Sequence, residues 1–254
     1  VGQLLDKLDE LGIADNTIVL YTTDNGPHFN TWPDAAITPF RSEKNTNWEG
    51  GFRVPMMVRW PDKVKPGSIS NTIISHLDWT PTFMAVAGDT NIKKDLLKGK
   101  KIGDTTYKAM LDGYNFVPYL KGKAKKGPRN EFFYFSDDGK PVGVRVGDWK
   151  TVFAEQRARR FDVWREPFVF LRIPKLFNLR RDPFEKADTD SNAYNEWWAD
   201  RGPRIFQGAG ALRQFLGTFV AYPPSQRPAS FTIDQDFEKF MSMLEANSAR
   251  QKKQ

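Results

Sequence analysis

Two adjacent side chains with hard oxygen donors, Asp24 and Asn25, follow a run of apolar and β-branched residues at 18–23. Such a run predicts a buried strand, and open α/β sheets place ligand sites just beyond the carboxyl ends of their strands. A carboxylate beside an amide suits Ca²⁺ or Mg²⁺, although two donors alone cannot fill the shell of either ion. Asp-Asn-Gly is also a common turn sequence, so a plain turn is the alternative.

Two further side chains, Lys44 and His28, could act on an anionic ligand. The ammonium of Lys44 can hold a sulfate or phosphate oxygen, although an exposed surface lysine is the commoner case. His28 follows the turn closely and could be a substrate contact or general acid, with a hydrogen-bonded loop histidine as the alternative. For His76, which precedes a predicted helix, a structural role is favoured. The sequence contains no convincing Ser–His–acid triad, P-loop, dinucleotide fingerprint or zinc spacing.

The elements that must position these residues begin with a helix, a loop and a strand. Leucines at helical spacing predict the helix, and Gly12 is its expected C-terminal cap. The following strand is expected to be parallel and covered on both faces. An aperiodic loop then carries His28 and Lys44. The predicted segments are helix 1–11, strand 18–23, loop 27–51, strand 54–60 and helix 78–87.

The second half of the chain has a different pattern. Beyond a basic, glycine-dotted linker, aromatic and β-branched runs predict a small antiparallel sheet, with a hairpin turn at Gly147-Asp148. Two amphipathic helices are expected to close the chain. We therefore expect an α/β fold with domains at 1–128 and 129–254. The predicted segments are strands 131–135, 142–146, 149–153 and 175–179 and helices 204–221 and 234–249.

Composition limits the possible classes of protein. The 254 residues include eight Trp and twenty Phe, which is enough for a packed core, and no Cys, which excludes disulfides and thiolate metal sites. The net charge of +7 allows an anionic substrate or nucleic acid as partner, but most lysines lie in loops, where a solvated surface is favoured. No apolar run approaches the ~20 residues that cross a bilayer.

Several motifs, in order, resemble the sulfatase (arylsulfatase-like) family of the alkaline phosphatase superfamily, over about residues 1–190. After the Asp24-Asn25-Gly26-Pro27 turn comes an arginine, a lysine and a Glu-Gly-Gly-x-Arg-x-Pro pattern, here Arg41, Lys44 and 49–55. The other motifs are Ser75-His76-Leu77-Asp78-Trp79-Thr80-Pro81-Thr82, Asp112-Gly113 through Leu120-Lys121-Gly122, Val144-Arg145-Val146-Gly147-Asp148-Trp149-Lys150, and Leu176-Phe177-Asn178-Leu179 with Asp182-Pro183-Phe184-Glu185.

The resemblance implies a fold, an activity and roles for the site residues. It implies the C-terminal part of a sulfatase-type mixed or parallel sheet sandwiched by helices, followed by a small α+β subdomain with an antiparallel sheet. Asp24 and Asn25 would be ligands of Ca²⁺ or Mg²⁺, Lys44 would contact the sulfate group, and His28 is kept as a substrate contact. Residues Arg41, Glu49 and Arg53 would shape the loop.

One expected part of a sulfatase has no counterpart here. The family's nucleophile is a formylglycine made in a Cys/Ser-x-Pro-x-Arg motif, which the sequence lacks. The sequence opens inside a predicted helix and has no initiating Met. The chain is therefore expected to be the C-terminal half of the protein and to be inactive alone. The resemblance implies a sulfate-ester small molecule or sulfated glycan as substrate, no nucleic acid partner, and a periplasmic or secreted location. A phosphoester or phosphonate hydrolase of the same superfamily, or a non-catalytic basic binding module, are the alternatives.

Overall fold

The computed structural model describes residues 1–34 and 36–224, together with Met241 and Met243. Helices and short strands are interspersed in the first half, and four strands followed by three helices make up the described part after residue 130. The helices are α1 (Gly2–Glu10), α2 (Glu49–Phe52), α3 (Trp79–Val86), α4 (Ile92–Lys98), α5 (Val117–Leu120), α6 (Ala187–Asp190), α7 (Tyr194–Ala199) and α8 (Gly202–Gly217). The strands are β1 (Val19–Thr22), β2 (Met56–Arg59), β3 (Lys100–Ile102), β4 (Thr105–Tyr107), β5 (Glu131–Phe135), β6 (Pro141–Val146), β7 (Trp149–Glu155) and β8 (Val169–Asn178). Short 3-10 turns lie at Ala14–Asn16, Phe29–Thr31, His76–Asp78, Arg160–Trp164 and Thr218–Val220.

The first sheet pairs β1 with β2, and it corrects one expectation. The two strands run antiparallel, with Val19 opposite Arg59 and Thr22 opposite Met56, whereas a parallel strand buried on both faces was predicted. No residue of β1 is fully buried, and Tyr21 is 40% exposed. An apolar run does not fix strand direction. Direction follows from the long loop, whose two ends are held together by a bond from the Gly26 N–H to the Gly51 carbonyl, so that β2 returns beside β1.

The region predicted as a basic linker is instead folded. Helix α4 buries Ile92 and Leu96, four residues apart on one face, and packs against α3. A β3–β4 hairpin and α5 follow it. The expectation of solvated lysines fails for Lys93 and Lys100, because Lys93 donates to the Gly113 carbonyl and Lys100 pairs with Asp89. Only two apolar residues at helical spacing, Ile92 and Leu96, were too weak a periodic signal to predict the helix.

The second half forms a four-stranded antiparallel sheet in the order β5–β6–β7–β8, which confirms the predicted small antiparallel sheet. Gly147, at φ 58°, makes the β6–β7 turn where it was expected. Strand β8 is longer than the predicted 175–179. Helix α8 covers the sheet at Gly208, where an added Cβ would lie 2.6 Å from Thr151 Oγ1. Fully buried side chains from three strands form the core, namely Val142, Val144, Val152, Ala154, Leu176 and Phe177.

The two helices predicted for the C-terminal part of the chain have different outcomes. The helix predicted at 204–221 corresponds to α8 and the 3-10 turn that follows it. The helix predicted at 234–249 lies outside the continuously described residues. In the described part of the chain, none of the helices has the length and apolar character that a membrane crossing requires.

Candidate functional site

One open cavity of about 360 Å³ brings together three of the residues singled out in the sequence, Asp24, Asn25 and Lys44. Its floor is formed by the long loop and by β2, and its far wall comes from the second half of the chain. The lining residues beyond the loop are Phe52, Val54, Met56, Ile74, Ser75, His76, Phe132, Phe135, Ser136, Asp137, Trp164 and Phe168. Elements more than 100 residues apart in the sequence therefore contribute to one concave surface.

Three glycines bring the two ends of the long loop close enough to share this cavity. A Cβ on Gly26 would lie 1.8 Å from the Gly50 carbonyl oxygen. A Cβ on Gly50 would lie 2.2 Å from the Ser42 carbonyl oxygen, and one on Gly51 would lie 2.6 Å from that of Glu43. Only residues without a side chain allow such backbone contact. The glycines of the Asp-Asn-Gly and Glu-Gly-Gly segments thus set the distance between the carboxylate and the lysine.

Asp24 and Asn25 offer the oxygen donors of the predicted metal site. One Asp24 carboxylate oxygen accepts a 2.9 Å bond from the Asn25 backbone N–H, and neither side chain makes another hydrogen bond within the described residues. These donors are of the type that Ca²⁺ and Mg²⁺ prefer, so the pair fits such an ion in chemistry. The described residues contain no cluster of three or more His, Cys, Asp or Glu that could hold a metal, so the pair alone does not complete a shell.

The side chain of Lys44 lies in the cavity and forms no salt bridge within the described part of the chain. Its backbone N–H donates to the Pro27 carbonyl at 2.9 Å, and its Nζ lies 5.8 Å from the centre of the Trp164 ring. Asn45, at φ 63°, reaches across to the Val163 carbonyl at 2.7 Å. No carboxylate among the described residues lies within 4 Å of the Lys44 ammonium. A partly buried cation that forms no salt bridge is suited to hold an anionic ligand.

The fully buried carboxylate of Glu43 joins the long loop to the second half of the chain. It accepts hydrogen bonds from the Phe29 N–H at 2.6 Å and the Arg160 N–H at 2.7 Å. His28 lies beside it, and the Trp164 indole N–H donates to His28 Nε2 at 3.2 Å. His28 itself does not line the cavity but stands behind Trp164. Its predicted contact with substrate stays a prediction, and its observed contact orients the indole.

His76 lines the cavity, although the sequence favoured only a structural role for it. Its Nε2 donates to the Thr23 carbonyl at 2.9 Å, directly before Asp24. A capping box formed by Ser75 and Asp78 fixes the turn that carries His76, and Arg129 pairs with Asp78 at 2.7 Å. The Ser-x-x-Asp spacing is a local signal for this turn. No local signal could have revealed that the turn meets the end of β1.

A buried charge network, formed by Lys150, Glu49 and Glu185, stabilises the C-terminal end of the long loop. Lys150 Nζ lies 3.1 Å from Glu49 and 2.7 Å from Glu185, the latter as an ion pair without good hydrogen-bond geometry. Burial alone would raise the pKa of Glu49, but Lys150, the Tyr134 hydroxyl and Arg53 together lower it to about 2. Burial, together with the charge of Glu49, raises the pKa of Glu185 above its usual value, although Lys150 opposes the rise.

Comparisons with known proteins agree with this arrangement. The Sulfatase family model matches residues 1–89. An arylsulfatase of Hemicentrotus pulcherrimus is 36% identical over 165 residues, which are 64% of this chain and 26% of that protein. Human arylsulfatase A is 30% identical over 240 residues, which are 89% of this chain and 43% of that protein. The crystal structure of the PsFucS1 sulfatase from Pseudoalteromonas sp. superposes with a TM-score of 0.71 at 26% identity.

These matches cover most of this chain but less than half of each relative. The superposition with PsFucS1 covers 89% of this chain and 42% of that one, so the chain spans less than half the length of each protein compared. The matched residues include the Asp24-Asn25 turn, the Lys44 loop and His76. By sequence and by fold, the chain belongs to the sulfatase family.

Proposed function

We propose that this chain supplies one wall of the active site of a sulfuric ester hydrolase, an arylsulfatase-like sulfatase. In this proposal Asp24 and Asn25 hold a divalent cation, Ca²⁺ or Mg²⁺, and Lys44 holds an oxygen of the sulfate group. The observation that supports it best is that these three side chains, spread over 21 positions, share one cavity and form no salt bridge with any other described residue. The names of the relatives, which are sulfatases, support the reaction class.

The residues have distinct chemical tasks in this proposal. The Lys44 ammonium lies where it can neutralise negative charge on a sulfate oxygen, and such preorganised charges stabilise the transferring group most in a site that excludes water. The His76 imidazole, tied to the Thr23 carbonyl, orients the turn that presents Asp24. When bound, the cation would add positive charge at the sulfate group. No residue of this chain is proposed as the nucleophile.

The formylglycine nucleophile that the resemblance implies is proposed to belong to a region outside these 254 residues. The chain has no Cys and no Ser-x-Pro-x-Arg sequence from which to make it. The chain also spans only 43% of human arylsulfatase A. We therefore expect the isolated chain to hydrolyse no aryl sulfate, and turnover by the chain alone would contradict this part of the proposal.

The metal half-site is tested by calcium-dependent thermal stabilisation. An ion that binds only the folded state stabilises it by about 2.7 kcal/mol at a hundred times its Kd. We expect Ca²⁺ or Mg²⁺ to raise the Tm of the native chain and the Asp24→Ala variant to lose that rise. The matched control is Asp104→Ala, which removes a carboxylate in the β3–β4 turn. Equal stabilisation of the native chain and the Asp24→Ala variant would refute the metal assignment.

A further inference from the structure

A second carboxylate, that of Asp137, lines the same cavity as Lys44 but comes from the second half of the chain. It sits in the turn between β5 and β6. That turn is closed by bonds from the Ser136 N–H to the Lys140 carbonyl at 2.9 Å and from the Gly139 N–H to the Ser136 carbonyl at 2.9 Å. Within the described residues, the Asp137 side chain has no hydrogen bond or ion pair of its own. The turn therefore presents an acceptor-only group to whatever occupies the cavity.

The charges of Asp137 and Lys44 act on each other across the cavity. Burial raises the pKa of Asp137 above its usual value, the charge of Asp138 adds to the rise, and the charge of Lys44 acts in the opposite direction. The two side chains do not form a salt bridge, since no ion pair joins them within 4 Å. A ligand in this cavity can thus meet both a cation and an anion.

The cavity that these two charges share is also lined by aromatic rings. Trp164, Phe168, Phe132 and Phe135 all border it. The Trp164 ring is fixed in place by its indole bond to His28. Rigid aromatic side chains offer flat apolar faces to ring-shaped ligands, and a few convergent polar groups set the ligand's orientation.

From this juxtaposition we propose that Asp137 is a specificity-determining residue, which selects sulfate monoesters of hydroxylated rings that carry no second anion beside the ester. This inference rests on the proposed function, because it needs Lys44 to hold the sulfate group. The Asp137 carboxylate accepts hydrogen bonds from ring hydroxyl groups of the alcohol part. It repels a second sulfate or a carboxylate there, since like charges brought together oppose binding. A monosulfated neutral sugar fits both requirements, and a phenyl sulfate has no hydroxyl to offer.

Binding measurements on the native chain test the proposal directly. The probes are galactose 6-sulfate, galactose 2,6-disulfate, galactose 4,6-disulfate, phenyl sulfate and unsulfated galactose, titrated calorimetrically at one fixed ionic strength. We expect the monosulfated sugar to bind at least about tenfold more tightly than either disulfate, because a like-charge contact opposes binding of the second sulfate. In Asp137→Asn, we expect this ratio to fall to about twofold and the affinity for phenyl sulfate to stay unchanged.

The matched control removes an equal charge elsewhere. Asp104→Asn lies in the β3–β4 turn outside the cavity, so it changes the net charge equally and is expected to keep the native ratio. Asn is as compatible with a turn as Asp, and a native circular dichroism spectrum for Asp137→Asn confirms its fold. A disulfate that binds the native chain as tightly as the monosulfate, or a native ratio in Asp137→Asn, would overturn the inference.

The same titrations give a different pattern if the proposed function itself is wrong. If galactose 6-sulfate binds no better than galactose, or if Lys44→Ala leaves its binding unchanged, the sulfate site itself is refuted. If binding requires Lys44 but the ratio between monosulfate and disulfate does not depend on Asp137, only the specificity assignment is refuted.

Discussion

At the residue scale, the site depends on three positions where backbone lies against backbone. Gly26, Gly50 and Gly51 let the turn that holds Asp24 approach the loop that holds Lys44. Because glycine has no Cβ at these three positions, a carboxylate and a lysine can line the same cavity. The resemblance in the sequence pointed to the Asp-Asn-Gly and Glu-Gly-Gly motifs, but the reason for their glycines lies in contacts across the loop.

The Gly26→Ala variant tests this dependence. The added Cβ would overlap the Gly50 carbonyl, which is rigid backbone, so we expect the free energy of unfolding to fall by about 2 kcal/mol or more. Chemical denaturation measures the change. Gly210→Ala is the control, because nothing lies within 4 Å of the new methyl group and alanine favours a helix by roughly 0.5–1 kcal/mol. Equal stability of the native chain and Gly26→Ala would contradict the packing explanation.

At the scale of elements, the buried network of Lys150, Glu49 and Glu185 joins α2 to β7 and to the segment before α6. Lys150 Nζ also donates to the Asn47 carbonyl at 2.7 Å, and the Glu49 N–H donates to Glu185 at 2.7 Å. A sheet in the second half thereby holds the loop that carries Lys44. All three side chains are nearly or fully buried, so no water is available to replace a lost partner.

Removal of the Lys150 ammonium is expected to lower the free energy of unfolding substantially. Lys150→Met leaves two buried carboxylates without their ammonium, and breaking a buried pair in this way costs about 3–5 kcal/mol. Denaturant titration measures the loss. Lys140→Met removes an exposed lysine from the β5–β6 turn and is expected to change stability by no more than about 0.5 kcal/mol. Similar effects of the two substitutions would show that the network does not support the fold.

The same network predicts a dependence of stability on pH. Because the pKa of Glu49 is lowered to about 2 from a usual 4.5, its contribution is complete above pH 4.5 and is lost as the pH falls toward 2. Glu185 acts oppositely, since its raised pKa means that its protonated form is favoured in the fold. We expect Glu49→Gln to flatten the fall in Tm between pH 4.5 and 2. An unchanged slope in that variant would reject the assignment.

Local patterns predicted some of these elements and missed others for identifiable reasons. The β6–β7 hairpin followed from its Gly147-Asp148 turn and its β-branched runs, and α3 lies within the helix predicted at 78–87. Strand direction at β1 was wrong, because an apolar run is the same in either direction. The far wall of the cavity could not be predicted, because Asp137 and Trp164 carry no local signal of the loop they meet, more than 90 positions earlier.

At the scale of the whole molecule, contacts cross the predicted boundary at residue 128. The indole of Trp48 donates to the Gln156 carbonyl at 3.2 Å, and Arg129 pairs with Asp78 at 2.7 Å. The division into 1–128 and 129–254 stays a prediction about architecture. These buried contacts nevertheless indicate that the two parts stabilise each other.

We therefore expect the chain to unfold as one cooperative unit. Calorimetry should give a single transition whose calorimetric and van't Hoff enthalpies agree. Lys150→Met should shift that whole transition, because the ion pair joins both parts. Two separate transitions in the native chain, with only one moved by the substitution, would show that the parts fold independently.

The indole of Trp164 has a further use. It lines the cavity, and its N–H donates to His28, which is not among the lining residues. A ligand that enters would change the polarity around this ring, whose orientation the bond to His28 favours. Its fluorescence, obtained as the difference between the native chain and Trp164→Phe, should therefore act as a built-in optical gauge of occupancy that needs no turnover and no attached dye.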